Sequence, residues 1–498
     1  EEGIFMLSKE EIVRSVPQKG FLGHPKGLFT LFFTEFWERF SYYGMRAILL
    51  FYMYYAVKDG GLGLDRTQAN IIMSLYGSLI YMSGIIGGWI ADRILGTQKS
   101  VFYGGILIMV GHIVLSLPGG VMALYASMAL IIIGTGLLKP NVSSVVGDMY
   151  SANDARRDAG FSIFYMGINM GAFVSPLIVG WTKEQWGFHV GFAVAAVGML
   201  IGLIVFVLSK KNLGLAGSQP TNPLQPGEGK RLTKIFSLSV VAIVVLGVIA
   251  YATGNFTIEN FSLLITTLGI LIPTCFIALM YRSPKTNEDE KSRLLAYIPL
   301  FICAIMFWAI AEQSGTVLAT FVDTRTDLSI GSFNIPASWF QSLNPLFIIS
   351  VAPLFAIMWT KLGDRGPSTP KKFALSLFFS GASFILMIVA IILSGEGLVN
   401  PLWVVGSFFL VVIGELLLSP VGLSATTKLA PQAFAGQTMA LWFLASAAAQ
   451  AINAQLVRIY EVVSETVYFG VLGGLSILLG FILLLMSPMI SRAMRGIK

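Results

Sequence analysis

The chain has 498 residues, of which 55% are hydrophobic and 12% charged, with a mean hydropathy of +0.77. Soluble domains carry about 25% charged residues, so a water-soluble globular protein is excluded. The net charge of +7 is carried by loop lysines and arginines, a basic surface suited to acidic lipid and not to nucleic acid.

Residues 1–27 are mostly polar and lack a short apolar core with a cleavage site, so no signal peptide is expected and the segment is assigned to the cytoplasm. Apolar stretches follow near residues 28–56, 67–94, 99–117, 121–147, 158–181 and 188–209. A Gly- and Pro-rich loop leads to two more, near 236–252 and 258–281. The last six lie near 294–323, 336–360, 373–394, 401–427, 434–460 and 466–490. Each can cross about 30 Å of hydrocarbon as a helix, and the short alternating segments of a membrane barrel are absent. The fold class is therefore an all-α polytopic membrane protein with fourteen crossings.

The organisation reads as a six-helix bundle over 28–209, a cytoplasmic linker with two extra helices over 210–293, a second six-helix bundle over 294–491 and a cytoplasmic tail over 492–498. An even count puts both termini on one side. The basic loops near 156–157, 210–211, 230–234, 282–293, 361–372 and 492–498 fall on that side, which marks it as cytoplasmic. Cys275 and Cys303 lie inside apolar runs and suggest neither a disulfide nor a metal site. A turn carrying Asp92 and Arg93 within 87–96 has a weaker counterpart at Asp364 and Arg365 in the second half, consistent with parallel repeats. Asp92 and Arg93 could lock helix ends and release them as the halves rock.

Ionisable side chains inside a span cost about 2.5–3.5 kcal/mol each on insertion scales, so they mark pathways or relays by default. The first span is densest. At about 100° per residue, Glu35, Glu38, Arg39, Tyr42 and Arg46 fall within an arc of about 100°, and Arg39 can pair with Glu35 one turn away. Lys139 stands among glycines before Pro140, Glu312 one turn after Trp308, Glu415 before Ser419-Pro420, and Lys428 nearer a span end. Arg39, Arg46 and Lys139 face Glu35, Glu38, Glu312 and Glu415. Three positive charges against four negative leave one acid over, a device for carrying a proton; fixed structural ion pairs are the rival reading. His24 and His189 sit in loops or at span ends, and His112 reads as a packed histidine, so proton handling falls on carboxylates. Asn169 and Asn344 are either helix–helix hydrogen-bonding groups or site residues. Trp308 and Trp442 lie inside their spans as walls of a cavity, and Ser446 shares the face of Trp442.

At these residues the chain resembles the proton-dependent oligopeptide transporter family of the major facilitator superfamily, in its bacterial form. Glu35-x-x-Glu38-Arg39-Phe40-x-Tyr42-Tyr43-Gly44 is similar to its first-helix motif. Phe164-Tyr165-x-x-Ile168-Asn169-x-Gly171 and Phe307-Trp308-Ala309-x-x-Glu312-Gln313 resemble its fifth- and seventh-helix motifs. The resemblance implies a proton-coupled symporter that imports di- and tripeptides by alternating access across a bacterial cell membrane. It implies no cofactor, with protons as the coupling ion, and a monomer is the default expectation. Glu35, Glu38, Arg39 and Glu312 would serve proton coupling. Arg46 and Lys139 would meet the peptide carboxylate, and Glu415, paired with Lys139 when empty, its amine. Asn169, Asn344 and Gln313 would bond the peptide backbone or termini, while Tyr42, Tyr43, Tyr76, Trp308, Trp442 and Ser446 would line the site. Asp92, Arg93, Arg46 and Glu312 would serve gating. Some members carry a second acid just before the equivalent of Glu312; here that residue is Ala311, so no paired carboxylate acts there. Animal members use a second-helix histidine, which is absent from the second span. Rival readings are a transporter of nitrate or a small organic anion, which would not need Glu415, and a receptor or scaffold that moves nothing. No His-rich cluster or Ser/His/Asp constellation suggests an intramembrane enzyme.

Overall fold

The structure, a computed structural model, describes residues 6–151 and 153–498, without the side chains of 435–439; residues 1–5 of the expected N-terminal segment lie outside the described residues. A short helix α1 (Lys9–Ser15) comes first. Ser8 and Glu11 form a capping box at its start, satisfying backbone donors that the first turn leaves open. The long helices α2 (Gly27–Tyr54), α3 (Arg66–Ile90), α4 (Thr97–Ser116), α5 (Gly120–Asp148), α6 (Arg157–Trp186) and α7 (Phe188–Ser209) follow. A π-helical turn, Ala91–Leu95, extends α3. The extra pair is α8 (Glu228–Ala252) and α9 (Ile258–Arg282). Then come α10 (Glu288–Ala311), α11 (Val317–Arg325), a hairpin of β1 (Ser329–Ile330) and β2 (Phe333–Asn334), α12 (Leu343–Leu362), α13 (Thr369–Ser394), α14 (Pro401–Leu429), α15 (Thr438–Tyr460) and α16 (Glu465–Ala493).

Among the described residues, thirteen helical stretches are long and apolar enough to cross a membrane. The 28-residue α2 is equally long and differs in carrying Glu35, Glu38, Arg39 and Arg46 along its length. Counting it gives the fourteen crossings expected. One expected span is interrupted. Instead of a continuous helix near 294–323, a 3-10 turn at Glu312–Gly315 separates α10 from α11. Non-helical backbone at membrane depth is tolerated where protein buries it or where it lines a cavity.

Packing divides the chain into two compact units that cut across the six-two-six division by sequence. Unit 1 holds the described residues up to Tyr42, with Met82–Gly171 and Phe192–Leu264; unit 2 holds Tyr43–Tyr81, Ala172–Gly191 and Ile265–Lys498. In unit 1, α4 and α5 approach through glycines. A Cβ on Gly104 would sit 2.6 Å from the Gly134 carbonyl oxygen, and one on Gly134 would sit 2.7 Å from the Gly104 oxygen. Around that seam Val101, Ile108, Leu138, Val142, Phe164 and Met199 form an apolar core. In unit 2, α13 packs against α14 and α16. Helix α8 buries none of its residues, and its apolar exterior suits hydrocarbon. Within unit 2, Thr266 of α9 donates to the Ala451 carbonyl at 2.7 Å.

Candidate functional site

In unit 1 the polar face of α2 carries a sealed acid–base group. Glu35, Glu38 and Arg39 have side-chain exposures of 1%, 0% and 2%. The sequence spacing favours a pair between Arg39 and Glu35. That ion pair is present, with Glu35 Oε1 3.5 Å from Nε, and Arg39 holds Glu38 more closely, with Nε 2.5 Å from Oε2 and Nη2 2.6 Å from Oε1. A planar guanidinium can grip both oxygens of one carboxylate, which makes this the closer of the two contacts. Glu35 Oε2 has no hydrogen-bond partner. The guanidinium carbon also stacks 4.7 Å from the centre of the Tyr42 ring. Lys139 of α5 is half-buried, close enough for its charge to act on Glu35. Asn169 is buried, and its Nδ2 donates to the Tyr165 carbonyl one turn back.

Unit 2 contains a second group around the broken helix. Arg46 Nη2 lies 3.5 Å from Glu312 Oε2, with both side chains mostly buried. Gly315 makes room for it: a Cβ there would meet Arg46 Nη2 at 2.6 Å. Glu312 also accepts from Tyr81 Oη at 3.0 Å and from Gln450 Nε2 at 3.2 Å. Behind Gln450 runs a buried chain in which every donor points towards Glu312. Tyr468 donates to Gln313 Oε1 at 2.7 Å, Gln313 to Asn453 Oδ1 at 3.1 Å, and Asn453 to Gln450 Oε1 at 3.2 Å. Gln313, for which the family resemblance implies a peptide contact, is thus fully buried between two side chains. Glu415 accepts from Asn344 Nδ2 at 3.2 Å.

The aromatic candidates differ in setting. Trp442 is buried, edge-on to Phe373 at 6.5 Å, and its ring lies directly over Gly422. Ser446 and Tyr76 are also buried; Tyr43 and Trp308 are half-buried. Trp308 Nε1 has no hydrogen-bond partner. Asp92 and Arg93 stand in the π-helical turn of unit 1 and bind the linker: Asp92 Oδ1 accepts from Thr221 Oγ1 at 3.3 Å, and Arg93 pairs with Glu228 at the start of α8. Lys428 is exposed, donating to the Lys498 carbonyl. His112 is fully buried with neither ring nitrogen hydrogen-bonded. Among the described residues, no group of three or more His, Cys, Asp or Glu is placed to share a metal ion.

Sequence reasoning missed Tyr81, Gln450, Asn453 and Tyr468, uncharged polar residues without a charge to draw attention. It also missed Asp323, which accepts hydroxyls from both Tyr54 and Tyr55; its position near the end of an apolar run was the available signal.

Comparison with known proteins extends these observations. The sequence model of the POT family matches residues 98–474. The chain is 59% identical to the uncharacterized transporter YclF of Bacillus subtilis (strain 168), over 99% of each chain. It is 46% identical to the di-/tripeptide transporter of Lactococcus lactis subsp. cremoris, over 97% of this chain and 99% of that one. The crystal structure of a peptide transporter POT in complex with sulfate superposes with a TM-score of 0.96 at 62% identity, covering 99% of this chain and all of the other.

Proposed function

The chain belongs to the POT family, and from that premise we propose that it is a proton-coupled symporter importing di- and tripeptides. It has the major facilitator fold and is a multi-pass membrane transporter, not an enzyme. One observation supports the coupling most directly: Glu35 and Glu38 share a single close guanidinium, that of Arg39, in a site shut off from water, and one Glu35 oxygen is unpartnered. Two carboxylates in low dielectric are poorly balanced against one close guanidinium and the more distant charge of Lys139 when all are ionised. A proton taken up by the pair restores the balance, and losing it undoes the balance. That makes the cluster a carrier of hydrogen ions without any resident cofactor.

The residue roles implied by the family form part of the proposal. Arg46 and Lys139 recognise the peptide carboxylate and Glu415 the amine. Aromatic side chains at Tyr42, Tyr43, Tyr76, Trp308 and Trp442 accept varied peptide side chains, while the fixed charges set length. The observed Arg46–Glu312 pair serves as an outer gate, and Asp92 with Arg93 acts on the cytoplasmic side. Both termini lie in the cytoplasm of a bacterium, a monomer is the working unit, and helices α8 and α9 stand outside the two six-helix bundles.

Purified protein in liposomes, with the outside more acidic than the inside, tests this reading. Labelled dialanine should accumulate inside, and unlabelled di- and tripeptides should compete while nitrate and single amino acids do not. Competition by nitrate alone would favour the anion-transporter reading.

A further inference from the structure

We propose that Gln450, Asn453, Gln313 and Tyr468 of unit 2 form a positioning relay for Glu312, whose hydrogen bonds all point at the carboxylate when it is ionised and all reverse when it takes up a proton. The inference rests on the transport function proposed above and on the coupling role that the family resemblance implies for Glu312. The four side chains are buried, with exposures of 2%, 0%, 0% and 3%. Their order follows from helix geometry. Gln450 and Asn453 stand three residues apart on α15 and so share a face. Glu312 and Gln313 are adjacent in the 3-10 turn, and each meets one of those amides, Glu312 at Gln450 and Gln313 at Asn453. Gly77 of α3 leaves the room: a Cβ there would meet Gln450 Nε2 at 2.6 Å. Tyr468 of α16 ends the row, its ring held edge-on by Tyr460 at 5.1 Å.

The direction of the row is forced from one end. An ionised carboxylate only accepts, so Gln450 must present its Nε2 to Glu312. Its Oε1 is then left for Asn453 Nδ2, the Asn453 oxygen for Gln313 Nε2, and the Gln313 oxygen for the Tyr468 hydroxyl. This is the pairing observed, at 3.2, 3.2, 3.1 and 2.7 Å in turn from Glu312. A protonated Glu312 donates its own O–H. Gln450 then answers with Oε1, and each amide behind it turns over until Gln313 donates to the Tyr468 oxygen, with every contact still paired. No proton moves along the row: it stays on Glu312, and the amides rotate about a two-fold torsion. Turning one amide alone would set oxygen against oxygen in a buried site, so the members switch together. The other groups acting on Glu312 are Arg46 of α2 at 3.5 Å, Tyr81 of α3 at 3.0 Å and the more distant charge of Glu415 on α14. Arg46 donates in both states, whereas the relay exchanges a donor for an acceptor. Gln450, Asn453 and Tyr468 are positioning residues acting through Glu312.

The test takes Tyr468→Phe, which removes only the hydroxyl at the end of the row, and Asn453→Ala, each in the parent and in Glu312→Gln. Unfolding midpoints in detergent are followed across pH. With Glu312 ionised the direction is forced and a lost partner is felt in full; with Glu312 protonated the row takes whichever direction is less costly. The fall in midpoint should be roughly twofold larger at about pH 8.5 than at about pH 5.5, and equal at the two in Glu312→Gln. In peptide counterflow at equal pH on both sides, the pH of half-maximal exchange should move towards alkaline by about half a unit to one unit, and should stay in place in Glu312→Gln. If Asn453→Ala cannot be purified, Tyr468→Phe carries the test. A fall in midpoint equal at both pH values, a pH dependence that survives in Glu312→Gln, or an exchange profile that does not move overturns the relay. The unfolding measurement needs no substrate. A parent that exchanges no peptide would count against the transport function and leave the unfolding result to decide the relay.

Discussion

Arg39 folds its guanidinium onto Glu38, its neighbour in the chain, and grips both carboxylate oxygens at 2.5 and 2.6 Å. Glu35, one helical turn earlier, gets only the outer edge of the same cation at 3.5 Å. One close guanidinium therefore serves two acids, unequally, with Lys139 adding its charge near Glu35. The acid served less well has an oxygen with no hydrogen-bond partner.

The amide chain behind Glu312 should be a stability element. Gln313→Leu leaves the Tyr468 hydroxyl and the Asn453 oxygen without their partner, and each orphaned buried group costs about 1–3 kcal/mol. The unfolding midpoint of the purified protein in detergent, followed by tryptophan fluorescence, should fall by several degrees. An unchanged midpoint would show that the chain is not tight.

His24 gives the segment between α1 and α2 a pH dependence. Its Nδ1 lies 2.8 Å from the Tyr150 hydroxyl. Burial, and then the nearby Arg156 guanidinium, hold its imidazole below the ordinary histidine value. Folded, His24 thus binds a proton at lower pH than it does in an unfolded chain. Its contribution to stability is complete above the ordinary pKa of about 6.5 and is lost as the pH falls below it. Amide exchange over 17–28, corrected for intrinsic rate, should speed up between about pH 7.5 and about pH 5, and His24→Gln should flatten that change.

The α4–α5 seam should tolerate no side chain. Gly104→Val would push a methine carbon against the Gly134 carbonyl, and overpacking of this kind costs about 1–3 kcal/mol. Lower yield of monodisperse protein in size-exclusion chromatography is the expected result. Gly474, where a Cβ would meet nothing within 4 Å, should accept Ala as the control.

Much of this was legible in the sequence, for identifiable reasons. Apolar length set the spans, since hydrocarbon thickness leaves little freedom. Charges inside those spans announced Glu35, Glu38, Arg39, Arg46 and Glu312, because burying them demands partners. Which partner each takes was legible only in part. Helical spacing indicated the Arg39–Glu35 pair, which is present, but not the closer two-pronged grip of Arg39 on Glu38. Gln313 shares a motif with Glu312, but three-dimensional packing turns it the other way, into Tyr468 and Asn453. Helix α1 was missed although Ser8 and Glu11 spell a capping box, because a seven-residue helix has no apolar period to read. The break at Glu312–Gly315 was hidden inside an apolar run whose hydropathy does not register a change of hydrogen-bonding pattern. Asp323 has its tyrosine partners about 270 positions away, beyond the reach of any local spacing rule.

The central claim is that the Glu35–Glu38–Arg39 cluster couples proton flow to peptide movement. Its most direct test is dialanine uptake into proteoliposomes by the parent, Glu35→Gln and Glu38→Gln, measured both under an inward proton gradient and as peptide counterflow without one. The account predicts that both variants lose gradient-driven accumulation while still exchanging peptide. Full accumulation by either variant would contradict it.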